Sequence, residues 1–266
     1  MKPVANSEDG VRRVIDDEMW DVLAAIIADV CDRRGRKPEL EVREFVEAVF
    51  YWGRTGVQWR DMPTCFGKWD AVYNRWRRWE QNGYWKKIWH ALHAAAPERA
   101  EELFVDSTVI RAHQHSSGGD IDAAERATGR SRGGVGTKIH VIAADAKTAL
   151  AVTVTAGQAH DAPEFESVMM ELPEHTAATT VVADKAYDSN AIREDLEDAG
   201  FEVVIPSRSN RNAPKAYDLA KYKLRNQAER LINRLKRLRR LATRYEKLAC
   251  TYLALVHVGC ILSILA

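Results

Sequence analysis

Cysteine is scarce in this chain of 266 residues, and the four cysteines stand in no pattern that carries chemistry. None forms a CxxC pair or lies near a histidine at zinc-finger spacing, which argues against a disulfide framework and a structural zinc site. The N-terminus also lacks the basic region and apolar run of a secretory signal. A reducing cytoplasm is therefore the predicted location.

A clear membrane-spanning run is missing as well. Residues 249–266 are strongly apolar, but the stretch is slightly short for a span and contains Thr251, Tyr252, His257 and Ser263. It predicts a buried C-terminal helix.

A large net charge is also lacking, because the formal charge is only +1. An average of that size would normally argue against a nucleic-acid partner. The average hides an asymmetry, since residues 208–247 contain 14 Lys or Arg and three Asp or Glu. This segment predicts a basic surface on which a polyanion can dock.

The N-terminal region is predicted to be helical after a disordered stretch over residues 1–10. Apolar positions outline helices over residues 14–30 and 40–52, and residues 53–63 are rich in turn formers. Residues 66–92 then interleave five tryptophans with Arg and Lys at helical spacing. That pattern fits either a DNA-binding unit or an aromatic core with a basic outer face. We predict a helical DNA-binding or dimerisation region over residues 1–98.

Short β-branched segments replace the helical pattern from Leu103 onward. They predict five strands, at residues 103–110, 137–146, 150–157, 179–187 and 201–206. Helices are predicted at 163–172 with Asp161 as N-cap, at 190–199 and at roughly 219–247, and a mobile loop over 118–136. This order predicts an α/β fold over residues 99–266, with a mixed five-stranded sheet of the ribonuclease-H-like kind.

Two aspartates lie at the central strands of that sheet. Asp106 is inside an apolar strand, where an isolated charge is unfavourable without a positive partner or a metal, and Asp184 ends another strand. Each alone is equally well explained as a turn or cap residue. Together they favour a metal-dependent site.

Glu229 belongs to the predicted long helix, next to an apolar stripe that includes Leu224, Ala228 and Leu231. It is explained either as a solvated ion-pair partner of Arg225 or Lys236, or as the third ligand of the site. Two Mg²⁺ or Mn²⁺ ions held by three carboxylates can cleave phosphodiester bonds, and hard oxygen ligands suit Mg²⁺. The trio Asp106, Asp184 and Glu229 is therefore the predicted catalytic and metal-binding set.

Over nearly its whole length the chain resembles the bacterial DDE transposases of the insertion sequence five family. GVQWRDMPTCFGKWDAVYNRWRRWEQNGYWKKIW is similar to the family's leading helical region, DSTVIRAHQHSSGG to its first-Asp segment, and GGVGTKIHVIAADA to a further family segment. ADKAYDS resembles the second-Asp segment, with Ala186 where the family usually has glycine. The most specific match is the spacing of Tyr222, Arg225, Glu229 and Lys236, with two, three and six residues between them.

The resemblance implies a transposase that recognises terminal inverted repeats of double-stranded DNA and works as a homodimer or larger multimer at the bacterial nucleoid. Water-driven cleavage would free the 3′ ends of the element, which then attack target DNA. Two alternatives remain: a metal-dependent nuclease of the same fold, and a DNA-binding regulator derived from a transposase.

Other polar residues are candidates for DNA binding or for support of the site. Tyr222, Arg225 and Lys236 are predicted to share the helix face of Glu229. Lys138 and Lys185 flank the site, either to contact the scissile phosphate or simply as strand-end charges. The basic helix adds Arg234, Arg237 and Arg240. A zinc site is disfavoured for the histidines near the strands, which are His113, His115, His140 and His160.

Overall fold

The computed structural model describes residues 10–31, 39–95, 100–116, 121–131, 133–173 and 176–266. The helices are α1 (Asp17–Val30), α2 (Val42–Thr55), α3 (Trp69–Gln81), α4 (Tyr84–Ala95), α5 (Ala123–Arg126), α6 (Phe165–Met169), α7 (Asn190–Asp198), α8 (Leu219–Lys223), α9 (Asn226–Leu235), α10 (Arg239–Ala242) and α11 (Ala249–Leu265). The strands are β1 (Glu102–Ala112), β2 (Gly129–Ser131), β3 (Gly134–Ala143), β4 (Ala149–Ala156), β5 (Thr180–Ala183), β6 (Glu202–Val204) and β7 (Thr243–Arg244).

One mixed sheet organises the second half of the chain. Its main strands pair in the order β4-β3-β1-β5-β6, antiparallel from β4 to β1 and parallel from β1 to β6. The short strands β2 and β7 join β3 and β1. The five predicted strands and the ribonuclease-H-like α/β fold are confirmed, whereas β2 and β7 were not predicted.

The two faces of the sheet contact different helices. Val105 packs in the apolar cluster that contains α6 and α7, whereas Phe104 and Val182 pack in the cluster that contains α9, α11 and the N-terminal helices. Strand side chains alternate between the faces. Asp106 and Asp184, each two residues beyond Phe104 and Val182, are therefore directed toward the α9 side.

Tryptophan side chains form much of the core of the N-terminal helices. Trp52, Trp76, Trp85 and Trp89 are fully buried, whereas Trp69 is exposed. The Trp76 ring lies 5.2 Å from that of Trp52 and 5.6 Å from that of Trp85. These contacts favour the aromatic-core interpretation of the Trp-rich segment. The same core continues onto the α9 side of the sheet, and a division of the chain at residue 98 stays a prediction.

The prediction of one helix over residues 219–247 is wrong, because the chain there forms α8, α9, α10 and β7. The segment contains no Pro or Gly that would break a helix. Instead β7 pairs with the end of β1, and buried Arg244 donates hydrogen bonds to the carbonyl oxygens of Glu246 (2.9 Å) and Ala127 (3.0 Å). These tertiary hydrogen bonds override local helix propensity. Leu224, predicted to be in the apolar stripe, is exposed.

Three further predictions concern the start of the first helix, the N-terminal residues and the loop before β3. The first helix begins at Asp17 rather than near residue 14, because Asp16 caps it by accepting a hydrogen bond from the Met19 N–H at 2.9 Å. Residues 1–9, predicted to be disordered, lie outside the described residues. The predicted loop over 118–136 is wrong for its described part, which contains α5, β2 and the start of β3, while residues 118–120 and 132 also lie outside.

The buried C-terminal helix is confirmed as α11. None of the helices in the described ranges has the length and apolar character needed to cross a membrane. His257 of α11 is buried and stacks on Trp89 of α4, with ring centroids 5.1 Å apart. The helix thus joins the N-terminal helices to the sheet.

Acid is expected to destabilise the protein through buried His257 and half-buried His93. Burial lowers the pKa of His257 to about 3 and that of His93 to about 4. The unfolded chain takes up these protons near pH 6.5, and the folded chain does not until pH 4 or below, so the free energy of unfolding falls as the pH drops through this window. The slope is about 1.4 kcal/mol per pH unit for each histidine.

Urea unfolding between pH 7.5 and 4.5 measures this slope. His257→Gln is expected to flatten it relative to wild type, whereas the control His160→Gln, at an exposed position, leaves it unchanged. Equal slopes for wild type and His257→Gln would contradict the assignment.

Candidate active site

Asp106 and Asp184 occupy neighbouring positions on two parallel strands. β1 and β5 pair in register up to Val105 opposite Ala183, and the two aspartates are the next residues of each segment. The Asp106 side chain is only 15% exposed. The fold therefore brings two carboxylates from distant parts of the sequence to one point of the sheet.

The electrostatic environment of Asp106 is strongly negative. Burial raises the pKa of Asp106, and the charges of Asp184 and Glu229 raise it further, while the Ser107 N–H and Arg225 act in the opposite direction. Its Oδ1 accepts the Ser107 N–H at 2.8 Å, and its Oδ2 accepts from Arg225 at 3.1 Å. Such a site favours a bound cation.

Arg225 supplies that positive charge in this structure. Its Nη1 contacts Asp106 at 3.1 Å, and its Nη2 donates to Glu229. Burial lowers the pKa of Arg225, but Asp106 and Glu229 outweigh this effect and raise it above its ordinary value. One guanidinium thus joins the first and third predicted carboxylates.

Asp184 also has the local role that its sequence position allowed. It caps a short 3-10 turn over Lys185–Tyr187, and its Oδ1 accepts the Ala186 N–H at 2.7 Å. The buried residue Asp188 ends this turn and accepts from the Arg193 and Arg211 side chains, each at 2.8 Å. The sequence pattern does not identify Asp188 as the centre of a buried ion-pair cluster, because its partner Arg211 lies 23 residues away in the chain.

A second polar cluster lies beside the aspartates, and it corrects the predicted cap role of Asp161. Asp161 does not cap the helix that follows it; its Oδ1 accepts from Lys138 Nζ at 2.9 Å and from Ser107 Oγ at 2.7 Å. Lys138 is buried and also donates to the Ala159 carbonyl oxygen. An ammonium partner is a stronger attraction for a carboxylate than the backbone N–H of a cap. Lys138 is thus held at the sheet by these two contacts, and its contact with the scissile phosphate stays a prediction.

Tyr222 and the predicted basic residues differ in what they contact. Tyr222 packs edge-on against Tyr217 with ring centroids 5.4 Å apart. Lys236 is half-buried directly after α9, and Lys185 and Arg237 are exposed. Arg234 is half-buried.

Arg240 is engaged within the protein. Its Nε contacts Glu246 at 2.9 Å, and its guanidinium lies 4.7 Å from the Trp52 ring centroid and 4.8 Å from that of Tyr245. These contacts give Arg240 a structural role.

The histidines near the strands do not assemble a zinc site. His140 is buried and contacts Thr155 at 2.8 Å, and His113 stacks on Tyr245. Over the described ranges, no three His, Cys, Asp or Glu side chains are placed so that they could hold a metal ion as they stand. Asp106, Asp184 and Glu229 form no such group either, and Arg225 bridges two of them.

The donor set nevertheless fits a divalent cation. Carboxylate oxygens are the ligands that Mg²⁺ prefers, two of the three carboxylates are neighbours in the sheet, and a cationic group already lies between Asp106 and Glu229. A metal ion would take the place of the guanidinium charge.

Comparison with protein families gives two matches that together span most of the chain. Residues 15–89 match the family described as "Putative transposase of IS4/5 family", and residues 97–264 match the family described as "Transposase DDE domain".

The chain is also similar to individual proteins, one of which is described as a transposase. A "Putative transposase for insertion sequence element IS6501" from Brucella ovis is 32% identical over 128 residues, covering 47% of this chain and 94% of the relative. An "Uncharacterized protein y4sN" from Sinorhizobium fredii is 33% identical over 110 residues, covering 41% of this chain and 82% of the relative.

Solved structures give weaker likenesses. A piggyBac transposase synaptic complex with hairpin DNA has a TM-score of 0.41 at 14% identity, with 75% of this chain and 50% of that chain covered. A Mos1 transposase paired-end complex has a TM-score of 0.27 at 14% identity, with 65% and 60% covered. The chain thus spans 50% and 60% of these two proteins, and TM-scores this low do not by themselves assign a fold.

Proposed function

Because the chain belongs to the family of transposases with a DDE domain, we propose that it binds the terminal inverted repeats of an insertion element, cleaves at the element ends and joins the freed 3′ ends to target DNA. Asp106, Asp184 and Glu229 are the proposed catalytic residues. The observation that carries the proposal is the placement of Asp106 beside Asp184, with Glu229 linked to Asp106 through Arg225.

Each carboxylate has a defined source in the fold. Asp106 lies in the central strand β1, Asp184 directly follows β5, and Glu229 comes from α9, whose apolar side packs against β1 and β3. Asp106, Asp184 and Glu229 would hold divalent ions, Mg²⁺ or Mn²⁺, which would supply activation of an attacking oxygen and stabilisation of the leaving oxygen of a phosphodiester. The sheet fixes two ligands, and the helix supplies the third.

Arg225 has two roles in this proposal. In the protein without DNA it neutralises Asp106 and Glu229. Released from them, its planar guanidinium can bind a phosphate through two parallel hydrogen bonds, a geometry that lysine cannot reproduce. Tyr222, three residues before Arg225, Lys236, at the other end of α9, and exposed Lys185 are also proposed to contact the DNA.

A strand-transfer assay tests the proposal directly. A donor DNA that carries both inverted repeats is incubated with target DNA, Mg²⁺ or Mn²⁺ and the purified protein, and joined products are separated from cleaved ends. Joined products support the transposase, whereas cleavage without joining identifies a nuclease. Binding without either reaction identifies a regulator. Sedimentation of the protein with paired ends checks the proposed dimer or larger multimer.

Salt is expected to weaken DNA binding steeply, because Lys and Arg side chains displace condensed counterions from the phosphates. Arg234→Ala with Arg237→Ala is expected to reduce the log–log salt slope by about 1 for each phosphate that the variant no longer neutralises. Arg240→Ala is the contrasting variant: it breaks the contacts with Glu246 and Trp52, and we expect a lower melting temperature with a nearly unchanged slope.

Fluorescence anisotropy at 50 to 300 mM salt, alongside thermal unfolding, measures both effects. A slope that stays the same in the Arg234 and Arg237 double variant would remove this surface from the DNA interface.

A further inference from the structure

The turn that begins at Asp184 lies just beyond the backbone pairing of the sheet. β5 pairs with β1 as far as Ala183 and with β6 as far as Val182. Asp184 accepts the Ala186 N–H at 2.7 Å through Oδ1, which leaves its Oδ2 as the candidate metal ligand. The position of this carboxylate therefore depends on the turn over Lys185–Tyr187 as well as on the strand.

One arginine side chain from a distant segment binds that turn. Arg208 Nε donates to the carbonyl oxygen of Lys185 at 3.0 Å, and Arg208 Nη2 donates to that of Ala186. These are the two residues directly after Asp184, and the second of them supplies the N–H that Asp184 accepts. A guanidinium presents its donors in a fixed planar fork. The two contacts therefore fix the two carbonyl groups relative to each other.

The backbone of Arg208 is anchored at the end of the same turn. Its N–H donates to Asp188 Oδ2 at 2.8 Å, and the Asp188 N–H donates to the Lys185 carbonyl oxygen at 3.2 Å. Asp188 is buried, and two further arginine side chains pair with its carboxylate. Charge-assisted hydrogen bonds of this kind are about twice as strong as neutral ones. The segment after β6 is thus fastened to both the start and the end of the turn.

Contact with DNA is an alternative role for Arg208, which is exposed and is the first residue of the basic segment over residues 208–247. However, its Nε and Nη2 already donate to the turn. Residues 205–218 form no helix or strand, although the structure describes all of them, so side-chain contacts of this kind determine the course of the segment. These contacts favour a role at the turn over one on a phosphate.

We propose that Arg208 is a positioning residue for the reaction, which holds the turn so that Asp184 can bind a divalent ion together with Asp106. The inference rests on the proposed function, in which Asp184 is a metal ligand. Groups that orient a metal ligand from behind are needed for full metal affinity, and their removal typically weakens it about 10- to 100-fold. In this role Arg208 acts through the turn and contacts neither the metal ion nor the DNA.

Arg208→Ala tests the proposal through the sign of its effect on Mn²⁺ binding to the DNA-free protein. Loss of a positive charge near a cation site strengthens cation binding by electrostatics alone, whereas loss of the positioning contacts weakens it. We expect the affinity, measured by electron paramagnetic resonance, to fall about 10- to 100-fold. Lys215→Ala is the matched control, because it removes the same charge from an exposed position on the same segment. Its affinity should equal or exceed that of wild type.

Arg208→Lys and added guanidinium separate the donor geometry from the charge. Lysine keeps the charge but lacks the planar fork, so Arg208→Lys should recover only part of the affinity. Guanidinium chloride, well below its denaturing range, should restore Mn²⁺ binding to Arg208→Ala by occupying the place of the missing side chain. An equal concentration of sodium chloride should not, which distinguishes this rescue from an effect of ionic strength.

Thermal unfolding and DNA binding by fluorescence anisotropy are measured for the same variants. If Arg208→Ala does not fold, Arg208→Gln takes its place, since its amide can donate to one of the two carbonyl groups, and it should still weaken Mn²⁺ binding. Unchanged or higher Mn²⁺ affinity in the Arg208 variant would overturn the proposal. Combined with a lower melting temperature it would identify a purely structural residue, and combined with weaker DNA binding a phosphate contact.

Asp184→Asn separates failure of this inference from failure of the proposed function. If Asp184→Asn weakens Mn²⁺ binding and the Arg208 variant does not, only the positioning role is refuted. If Asp184→Asn binds Mn²⁺ as tightly as wild type, Asp184 is not a metal ligand, and the proposed function fails together with the inference that rests on it.

Discussion

Asp106→Asn, Asp184→Asn and Glu229→Gln are each expected to lower the rate of cleavage at the element ends by at least about 1,000-fold, the equivalent of about 4 kcal/mol of transition-state stabilisation. Each substitution replaces a charged oxygen ligand by a neutral amide of nearly the same shape. A divalent ion binds such an amide much less strongly. Single-turnover cleavage of a labelled inverted-repeat duplex measures the decrease.

The same three variants are expected to keep the fold and to bind DNA as tightly as wild type. Asp106→Asn should unfold at an equal or higher temperature, because burial and two neighbouring negative charges already disfavour the Asp106 carboxylate. Asp195→Asn, at an exposed position on α7, is the matched control and should cleave normally. Cleavage at the wild-type rate by any one of the three site variants would defeat the assignment of that residue.

The sequence predicts the sheet well because strand patterns there are local. Five β-branched segments bounded by turn residues became β1, β3, β4, β5 and β6 of one mixed sheet, as predicted. The segment after residue 218 behaves differently. Its local pattern is helical, but β7 and the hydrogen bonds of Arg244 to distant carbonyl oxygens break it, and such contacts leave no trace in the local pattern.

The candidate site likewise contains some residues that the sequence pattern identifies and others that it does not. Asp106 and Asp184 are recognisable because each is a charged residue within or at the end of an apolar strand. Arg225 and Glu229 are recognisable because they are four residues apart in a segment with a helical pattern. The Ser107 and Asp161 contact joins residues 54 positions apart. Lys138 and Asp161 each looked like an ordinary strand-end or cap residue, and only the folded chain pairs them.

Arg225→Gln is expected to strengthen Mn²⁺ binding to the DNA-free protein by about tenfold or more, while it lowers strand joining by about 100-fold. The guanidinium bridges Asp106 and Glu229, so a metal ion must displace it before it can use both carboxylates. Without that guanidinium the carboxylates are open to metal, but the two parallel hydrogen bonds to phosphate cannot form. Mn²⁺ titration followed by electron paramagnetic resonance measures the affinity. It is done at pH 8, because removal of Arg225 raises the pKa of Asp106 further and protonation would compete with metal.

Thermal unfolding gives a second readout of the same displacement, independent of activity. In EDTA, Arg225→Gln leaves Asp106 and Glu229 without their positive partner and should unfold at a lower temperature than wild type. Mn²⁺ should then raise its melting temperature more than it raises that of wild type, because a ligand stabilises in proportion to its affinity for the folded state. Lys236→Gln is the matched control, since it removes the same charge just after α9 from a residue outside the Arg225 bridge. An equal gain in Mn²⁺ affinity for Lys236→Gln would show that the gain comes from the lower net positive charge and not from loss of the bridge. Unchanged affinity in Arg225→Gln would show that the guanidinium does not occupy the metal position.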